Sequence, residues 1–298
     1  MRQAPPCRGY VAHHAPAGHL TSRQGPVMPD TGCMERHVRA WMRAEVAQDT
    51  DIALLVAISD APVGEETLSV LVDGDEHPVT ETRDRFGSRL HLINGLPGGT
   101  VEIVYDARGV GPATAPRTDE ADAVLHLRPS RYCEVDEFTR IAEEVVGDLE
   151  GVEALDAVVE WVSKHLDYVP GSSTITDSAR TTYMSRQGVC RDFAHLTATL
   201  LRAAGIPARC SSVYAPGLSP MDFHLVVEAQ IDGQWLVVDS THLAPRASMV
   251  RIATGQDAAD TAFMTTLTGN VTLTGIQVTA LVDPELPKER WSERLELR

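Results

Sequence analysis

The chain has 298 residues, of which 43% are hydrophobic and 23% charged, a composition typical of a globular protein with one large domain or two ordinary ones. Its 26 basic and 42 acidic residues give a formal net charge of −16, which disfavours nucleic acid as a partner because phosphate backbones are repelled. No apolar stretch approaches the roughly 18 residues of a membrane-spanning helix, so no membrane association is expected.

The five cysteines indicate a reducing compartment, and we expect a cytoplasmic location. An odd number at wide, irregular spacing does not resemble a disulfide framework. No Cys-x-x-Cys pair is present, which argues against a thiolate zinc site. The sequence therefore predicts neither a cofactor nor a metal ion.

The N-terminal half is predicted to contain a disordered extension followed by a β domain. Residues 1–33 are rich in Pro, Gly and His, show no hydrophobic period and lack the continuous apolar segment of a secretory signal, so Met34 would begin the folded part. Beyond them lie short, partly alternating runs rich in Val, Ile and Leu, separated by turn signals at 73–74 and 97–99. This spacing predicts an antiparallel sandwich. The runs are 38–46, 51–59, 67–74, 89–95 and 100–107.

The character of the chain changes after a linker-like stretch that begins at residue 109. Apolar residues recur at helical spacing over 134–148 and 152–166, and a third helix is predicted at about 177–187. A fourth helix begins near Cys190, and strands follow it. Helices first and strands afterwards predict an α+β arrangement.

The helix after Cys190 places a thiol at a chemically useful position. Its apolar residues recur through Leu201, and Gly205 and Pro207 end it. The unpaired N–H groups and dipole at a helix N-terminus favour negative charge, and a thiol placed there generally ionises more readily. Free cysteines are also common as small buried hydrophobic residues, which is our interpretation of Cys133 and Cys210.

A hairpin downstream offers a partner for this thiol. Asp232-Gly233, between two alternating runs, is a strong signal for a two-residue turn. In that register His224 and Asp239 lie on one face as diagonal neighbours, close enough for contact. A carboxylate beside an imidazole fixes its tautomer and stabilises the imidazolium. A one-residue change in the turn would put the two side chains on opposite faces, so the contact depends on the turn type.

Three segments in this order resemble the transglutaminase-like superfamily, in particular its bacterial branch. They are GVCRDFAHLTATLLRAAGIPAR, FHLVVEAQIDGQWLVVDST and RIATGQDAADTAF. The stretch LRPSRYCEVDEF and the strand-rich first half resemble the linker and N-terminal β domain of the same proteins. The resemblance implies an antiparallel β-sandwich followed by a papain-like core, in which helices pack on an antiparallel sheet.

The resemblance also implies an activity: a thiol enzyme that acts on peptide or isopeptide amide bonds through an acyl-enzyme, as a cysteine peptidase or amidase. Cys190 would be the nucleophile, His224 the general base and acid, and Asp239 the orienting carboxylate. The substrate would be a peptide or protein. Amine transfer to a protein glutamine by the same triad is an alternative, as is a peptide-binding module without turnover. A metal site from Cys190, His195 and His224 would lack a fourth ligand.

Further candidates surround the nucleophile. The superfamily implies a side-chain donor to the oxyanion, for which Tyr168 or Tyr183 could serve. Arg191 and Asp192 flank Cys190 and are cleft candidates, although Asp192 is most simply a partner of the helix dipole. His195 lies off the face of Cys190 and is interpreted as structural. Asp257 and Asp260 could line the cleft or cap a helix.

The resemblance and the composition together predict a division of the chain. It comprises a disordered extension (1–33), a β domain (34–108), a linker (109–124), a catalytic domain (125–285) and a C-terminal tail (286–298).

Overall fold

The structure, a computed structural model, describes residues 34–114 and 119–298. The predicted disordered extension and four residues of the predicted linker lie outside the described residues. Within the described ranges, no helix is long and apolar enough to cross a membrane.

The N-terminal part forms the predicted strands. Alternation of buried and exposed residues along β1 gives one face to the interior, where Val38 and Met42 are fully buried, and one to solvent. These residues pack against Ile52 and Ile93 of a second sheet, so two antiparallel sheets enclose one apolar core, as predicted. The strands are β1 (Glu35–Val46), β2 (Thr50–Leu54), β3 (Glu65–Val72), β4 (Asp75–Glu76), β5 (Thr80–Arg83), β6 (Arg89–Leu96) and β7 (Gly99–Val110).

The second part consists of helices packed on a four-stranded antiparallel sheet, which confirms the α+β prediction. Its elements are α1 (Glu120–Leu125), α2 (Thr139–Val146), α3 (Gly151–His165), β8 (Asp167–Tyr168), α4 (Ala179–Ser185), β9 (Gln187–Gly188), α5 (Cys190–Ala203), β10 (Ala208–Tyr214), β11 (Phe223–Ile231), β12 (Gln234–Val238), β13 (Val250–Gly255) and α6 (Ala258–Thr261). The chain continues from α6 into β14 (Met264–Thr268) and β15 (Val271–Asp283). The sheet has the order β12-β11-β10-β13. Helix α5 is buried along most of its length and packs on one face of this sheet.

The hairpin between β11 and β12 has the predicted turn and register. Ile231 pairs with Gln234 and Val227 with Val238, which leaves Asp232 and Gly233 as the two-residue loop. Both loop residues have positive φ, 49° and 78°, the combination that a right-twisted hairpin favours. The turn therefore puts His224 and Asp239 on the same side of the sheet.

The C-terminal boundary predicted for the catalytic domain, residue 285, is wrong. Strand β15 pairs with β1 along nearly its whole length, and β14 pairs with β2, so residues 264–283 complete the two N-terminal sheets. Both N-terminal sheets would otherwise end in an unpaired edge, which a returning strand satisfies. The last residues are not a free tail either, since Leu297 is buried against the catalytic sheet. The other predicted boundaries stay predictions.

Candidate active site

Cys190 is the first residue of α5, at the mouth of the most deeply buried helix. The Asp192 carboxylate accepts the Val189 backbone N–H at 2.8 Å and so closes the first turn. Gly188 packs so tightly on this carboxylate that an added Cβ would lie 2.5 Å from the Cβ of Asp192. Asp192 therefore caps the helix, a role beyond the dipole partner expected from sequence, and it leaves the half-buried Cys190 at the open end of the helix.

His224 and Asp239 meet as the hairpin register predicts. The distance from His224 Nε2 to Asp239 Oδ2 is 2.8 Å, and the two residues are 1% and 3% exposed. The other carboxylate oxygen accepts the backbone N–H and the hydroxyl of Thr241, at 2.9 and 2.7 Å. Asp239 is thus held on both oxygens and faces the imidazole with a fixed geometry.

The buried pair favours a charged imidazole. Burial alone would lower the pKa of His224, but the Asp239 carboxylate and the Cys190 thiol raise it to about 10. Burial alone would raise the pKa of Asp239, but the facing imidazole and Thr241 hold that pKa below its ordinary value. An imidazolium flanked by a carboxylate on one side can support a thiolate on the other.

The second ring nitrogen of His224, Nδ1, is the one that Asp239 leaves free. Among the described residues, Nδ1 makes no hydrogen bond of normal geometry, while Nε2 is committed to Asp239. The Cys190 thiol lies close enough to contribute to the raised pKa of His224. Nδ1 is therefore the atom through which a proton can pass between thiol and imidazole.

Tyr168 is the one of the two tyrosine candidates that reaches the nucleophile. Strand β8 pairs in parallel with β9, which sets Tyr168 opposite Gly188, just before the start of α5. The pKa of Tyr168 is raised to about 12, chiefly by burial and secondly by the Cys190 thiol. Tyr183 instead packs its ring against Phe138 and Trp161 inside the helical layer, as a structural residue would.

Arg191 supports the loop between β8 and α4. Its guanidinium donates to Ser173 Oγ at 2.8 Å and to the Thr174 carbonyl oxygen. It also pairs with the Asp192 carboxylate at 3.3 Å. Arg191 thus holds the segment between β8 and α4 against the helix mouth.

The remaining sequence candidates are structural. His195 is fully buried, accepts the Ala258 N–H on Nε2 at 3.1 Å and stacks on Tyr132, and burial lowers its pKa to about 3. Asp257 caps α6 by accepting the Ala259 N–H at 2.9 Å. Asp260 accepts the Gln256 N–H at 2.8 Å. Within the described parts of the chain, no cluster of three or more potential ligands is arranged to hold a metal ion.

Asp222 at the cleft rim escaped the sequence reasoning. It lies one residue before β11 and two before His224; its carboxylate contributes to the raised pKa of Tyr168, and His224 acts to lower the pKa of Asp222. Partial burial of its carboxyl raises its own pKa. The two-residue alternation that linked His224 to Asp239 would also have identified Asp222.

Sequence reasoning also missed a buried ionic network on the same sheet. Glu228 is fully buried, and its carboxylate accepts hydrogen bonds from Ser211 Oγ at 2.6 Å, Arg209 Nε at 3.1 Å and Arg251 Nη2 at 2.8 Å. The two guanidinium groups hold the pKa of Glu228 far below its usual range, although burial opposes them. These contacts tie β10, β11 and β13 together beneath the site.

Part of the chain matches a known protein family. Residues 139–240 match the transglutaminase-like superfamily, and this segment contains Cys190, His224 and Asp239. The sequence resemblance is thereby confirmed for this part of the chain.

Two individual proteins extend the comparison. A candidate cysteine protease of known structure from Cytophaga hutchinsonii superposes with a TM-score of 0.79 at 29% identity, covering 90% of this chain and 96% of that one. An uncharacterized protein of Mycobacterium leprae is 30% identical over 159 residues, which are 48% of this chain. The matched region spans only 54% of that relative's length.

Proposed function

We propose that this protein is a cysteine peptidase or amidase that acts on peptide or isopeptide amide bonds through an acyl-enzyme. One observation carries the proposal: a thiol opens helix α5 beside a buried imidazole that a carboxylate holds at 2.8 Å. The superfamily match and the similarity to a candidate cysteine protease support a thiol enzyme in general. A peptide or protein substrate and a cytoplasmic location stay predictions.

In the proposed mechanism, the Cys190 thiolate attacks the amide carbonyl carbon while His224 holds the proton on Nδ1. The backbone N–H of Cys190 and the Tyr168 hydroxyl are the proposed donors to the oxyanion that forms. When the C–N bond breaks, His224 gives its proton to the departing amine, and the acyl group stays on the sulfur. His224 then takes a proton from water, which attacks the thioester and releases the acid and the thiol.

Asp239 does not exchange a proton in this scheme. Its role is to keep the Nε2–H of His224 in place and to stabilise the imidazolium, for which its lowered pKa suits it. If an amine rather than water attacked the thioester, the same residues would carry out amine transfer. The product distinguishes the two outcomes.

The first experiment tests the nucleophile without knowledge of the substrate. The protein is treated with a small amount of iodoacetamide at pH 6 to 7, and the modified cysteines are identified by mass spectrometry. Cys190 should react well ahead of Cys133 and Cys210, which are fully buried and have pKa values raised by burial. A Cys190→Ala variant should leave the labelling of the other two unchanged. Equal labelling of Cys190, Cys133 and Cys210 would contradict an activated thiol at Cys190.

The second experiment tests turnover. A peptide library is incubated with wild-type protein and with Cys190→Ala, and the products and any acyl adduct on Cys190 are followed by mass spectrometry. We expect cleavage and a transient adduct with the wild type alone. Cleavage by the alanine variant at the wild-type rate would contradict the thiol mechanism.

A further inference from the structure

The last residues of the chain run along the open edge of the catalytic sheet. We call residues 284–298 the C-terminal strap. Strand β12 is the edge strand and ends one residue before Asp239. The Val237 backbone N–H, which points away from β11, donates to the Leu295 carbonyl oxygen at 2.7 Å. Leu297, only 1% exposed, packs in the same apolar cluster as Val237. The strap thus covers an edge that would otherwise lie open.

One buried arginine joins β12 to the strap. The Arg246 side chain is only 3% exposed, and its Nη1 donates to the Val237 carbonyl oxygen at 3.0 Å. Its Nη2 donates to Glu289 Oε1 and to the Arg290 carbonyl oxygen, each at 3.0 Å, and to the Glu293 carbonyl oxygen at 3.2 Å. The other Glu289 oxygen accepts the Arg246 backbone N–H at 2.7 Å. Both edge-facing backbone groups of Val237 are therefore held by Arg246 and the strap.

The loop between Asp239 and Arg246 is supported from α5, where Thr197 Oγ1 lies 2.8 Å from Ser240 Oγ, and from the strap. His242 donates its backbone N–H to the Asp239 carbonyl oxygen at 3.3 Å and packs its ring, tilted by 41°, against Trp291 of the strap, with centroids 4.1 Å apart. A cavity of about 430 Å³, lined by α3, this loop and the strap, reaches Asp239. From α3, Ser163 Oγ makes a long contact of 3.4 Å to His242 Nδ1. Because this cavity leaves the loop loosely packed against α3, the strap is one of the two supports that hold Asp239 in position.

We propose that the C-terminal strap, held through Arg246, positions Asp239 against His224, so that Arg246 is a positioning residue for the reaction. The inference rests on the proposed function, in which Asp239 orients the imidazole. Loss of the guanidinium frees the β12 edge and the loop that carries Asp239. A displacement of about 1 Å in a catalytic arrangement can cost about a hundredfold in rate. The strap thereby becomes a part of the active-site machinery that never touches substrate.

The test compares Arg246→Met with Arg290→Met. Methionine keeps the stem of Arg246 and removes every donor, whereas the Arg290 side chain is 70% exposed and pairs only within the strap. The first readout is the nitrogen-15 NMR spectrum of the protein, in which the His224 ring N–H held by Asp239 is protected from exchange with water. The second is the pH profile of iodoacetamide alkylation at Cys190. Both readouts are independent of any substrate.

We expect Arg246→Met to lose the protected ring N–H and to alkylate Cys190 at least about tenfold more slowly at pH 6, because the pKa of His224 falls when Asp239 moves away. On a cleaved peptide, kcat should fall about a hundredfold with little change in KM. Arg290→Met should match the wild type throughout. Unchanged readouts in Arg246→Met, or equal losses in both variants, would overturn the inference.

If Arg246→Met fails to fold, Glu289→Gln decides the question by the same measurements. It keeps the shape of the strap, removes the negative charge that faces Arg246 and should change both readouts in the same direction, whereas wild-type behaviour would overturn the inference. A failure of the proposed function would give a different result from a failure of this inference. A wild-type Cys190 that does not react would contradict the thiol enzyme, while the ring N–H would still show whether the strap positions Asp239.

Discussion

Substitution of Asp239 by asparagine removes one charge from a buried pair and leaves its shape almost unchanged. The carboxylate lies 2.8 Å from His224 Nε2, and neither residue is more than 3% exposed. At an effective dielectric constant of about 20, two unit charges at this separation attract each other by about 6 kcal/mol before the cost of their burial is subtracted. Most of the driving force for a charged His224 therefore comes from this carboxylate.

The rate should fall because the variant orients the imidazole without stabilising its charge. General acid–base catalysis contributes about 10²- to 10⁴-fold, and an amide can still hold a ring N–H. We therefore expect kcat of Asp239→Asn to fall about a hundredfold, at the lower end of this range, with KM little changed and a native circular dichroism spectrum. The assay is steady-state cleavage of a peptide that the wild type processes, with Cys190→Ala as the inactive reference.

The pH dependence of stability provides a second, substrate-independent measurement. His224 has a folded pKa of about 10 against an ordinary 6.5, so its contribution is complete below 6.5 and is lost as the pH rises through 10. Asp239 has a lowered pKa, so its contribution is present above its ordinary value of 3.8 and is lost as the pH falls through the folded value. The stability difference between wild type and Asp239→Asn should therefore be largest between pH 3.8 and 6.5 and shrink towards pH 10.

Urea denaturation of both proteins at pH 5, 7 and 9 measures this difference, and Thr266→Ala, an exposed change in β14 remote from the pair, serves as the control. The control should differ from the wild type by a constant amount at the three pH values. A stability difference for Asp239→Asn that is equally flat, together with an unchanged kcat, would refute the reasoning.

Two further substitutions separate catalysis from folding. Tyr168→Phe should lower kcat about a hundredfold without changing KM or the unfolding free energy, since it removes only a hydroxyl beside Cys190; an unaltered kcat would exclude Tyr168 as an oxyanion donor. Glu228→Gln should cost about 3–5 kcal/mol in urea denaturation, because Arg209 and Arg251 would stay buried without a counter-charge; a loss below about 1 kcal/mol would show that the two guanidinium groups find other partners.

Local chemistry determined the parts of the site that the sequence could predict. Asp232 and Gly233 accept positive φ, so they define a two-residue turn, and strand alternation then places His224 and Asp239 on one side. The start of α5 follows equally locally from Gly188 and the capping carboxylate of Asp192. Each of these features involves residues that are near neighbours in the chain or lie across one hairpin, so periodicity and turn chemistry suffice to predict them.

Tertiary structure alone decided the features that join distant segments. Strand β15 pairs with β1, although more than half the chain separates them in sequence. A periodic pattern of residues does not indicate which strand will pair with an edge strand. From the sequence alone, a charged residue such as Glu228 would be interpreted as solvent-exposed. It is buried because Arg209 of β10 and Arg251 of β13 pair with its carboxylate. Long-range pairing of charges and strand edges depends on how complete elements pack, which the local pattern of residues does not encode.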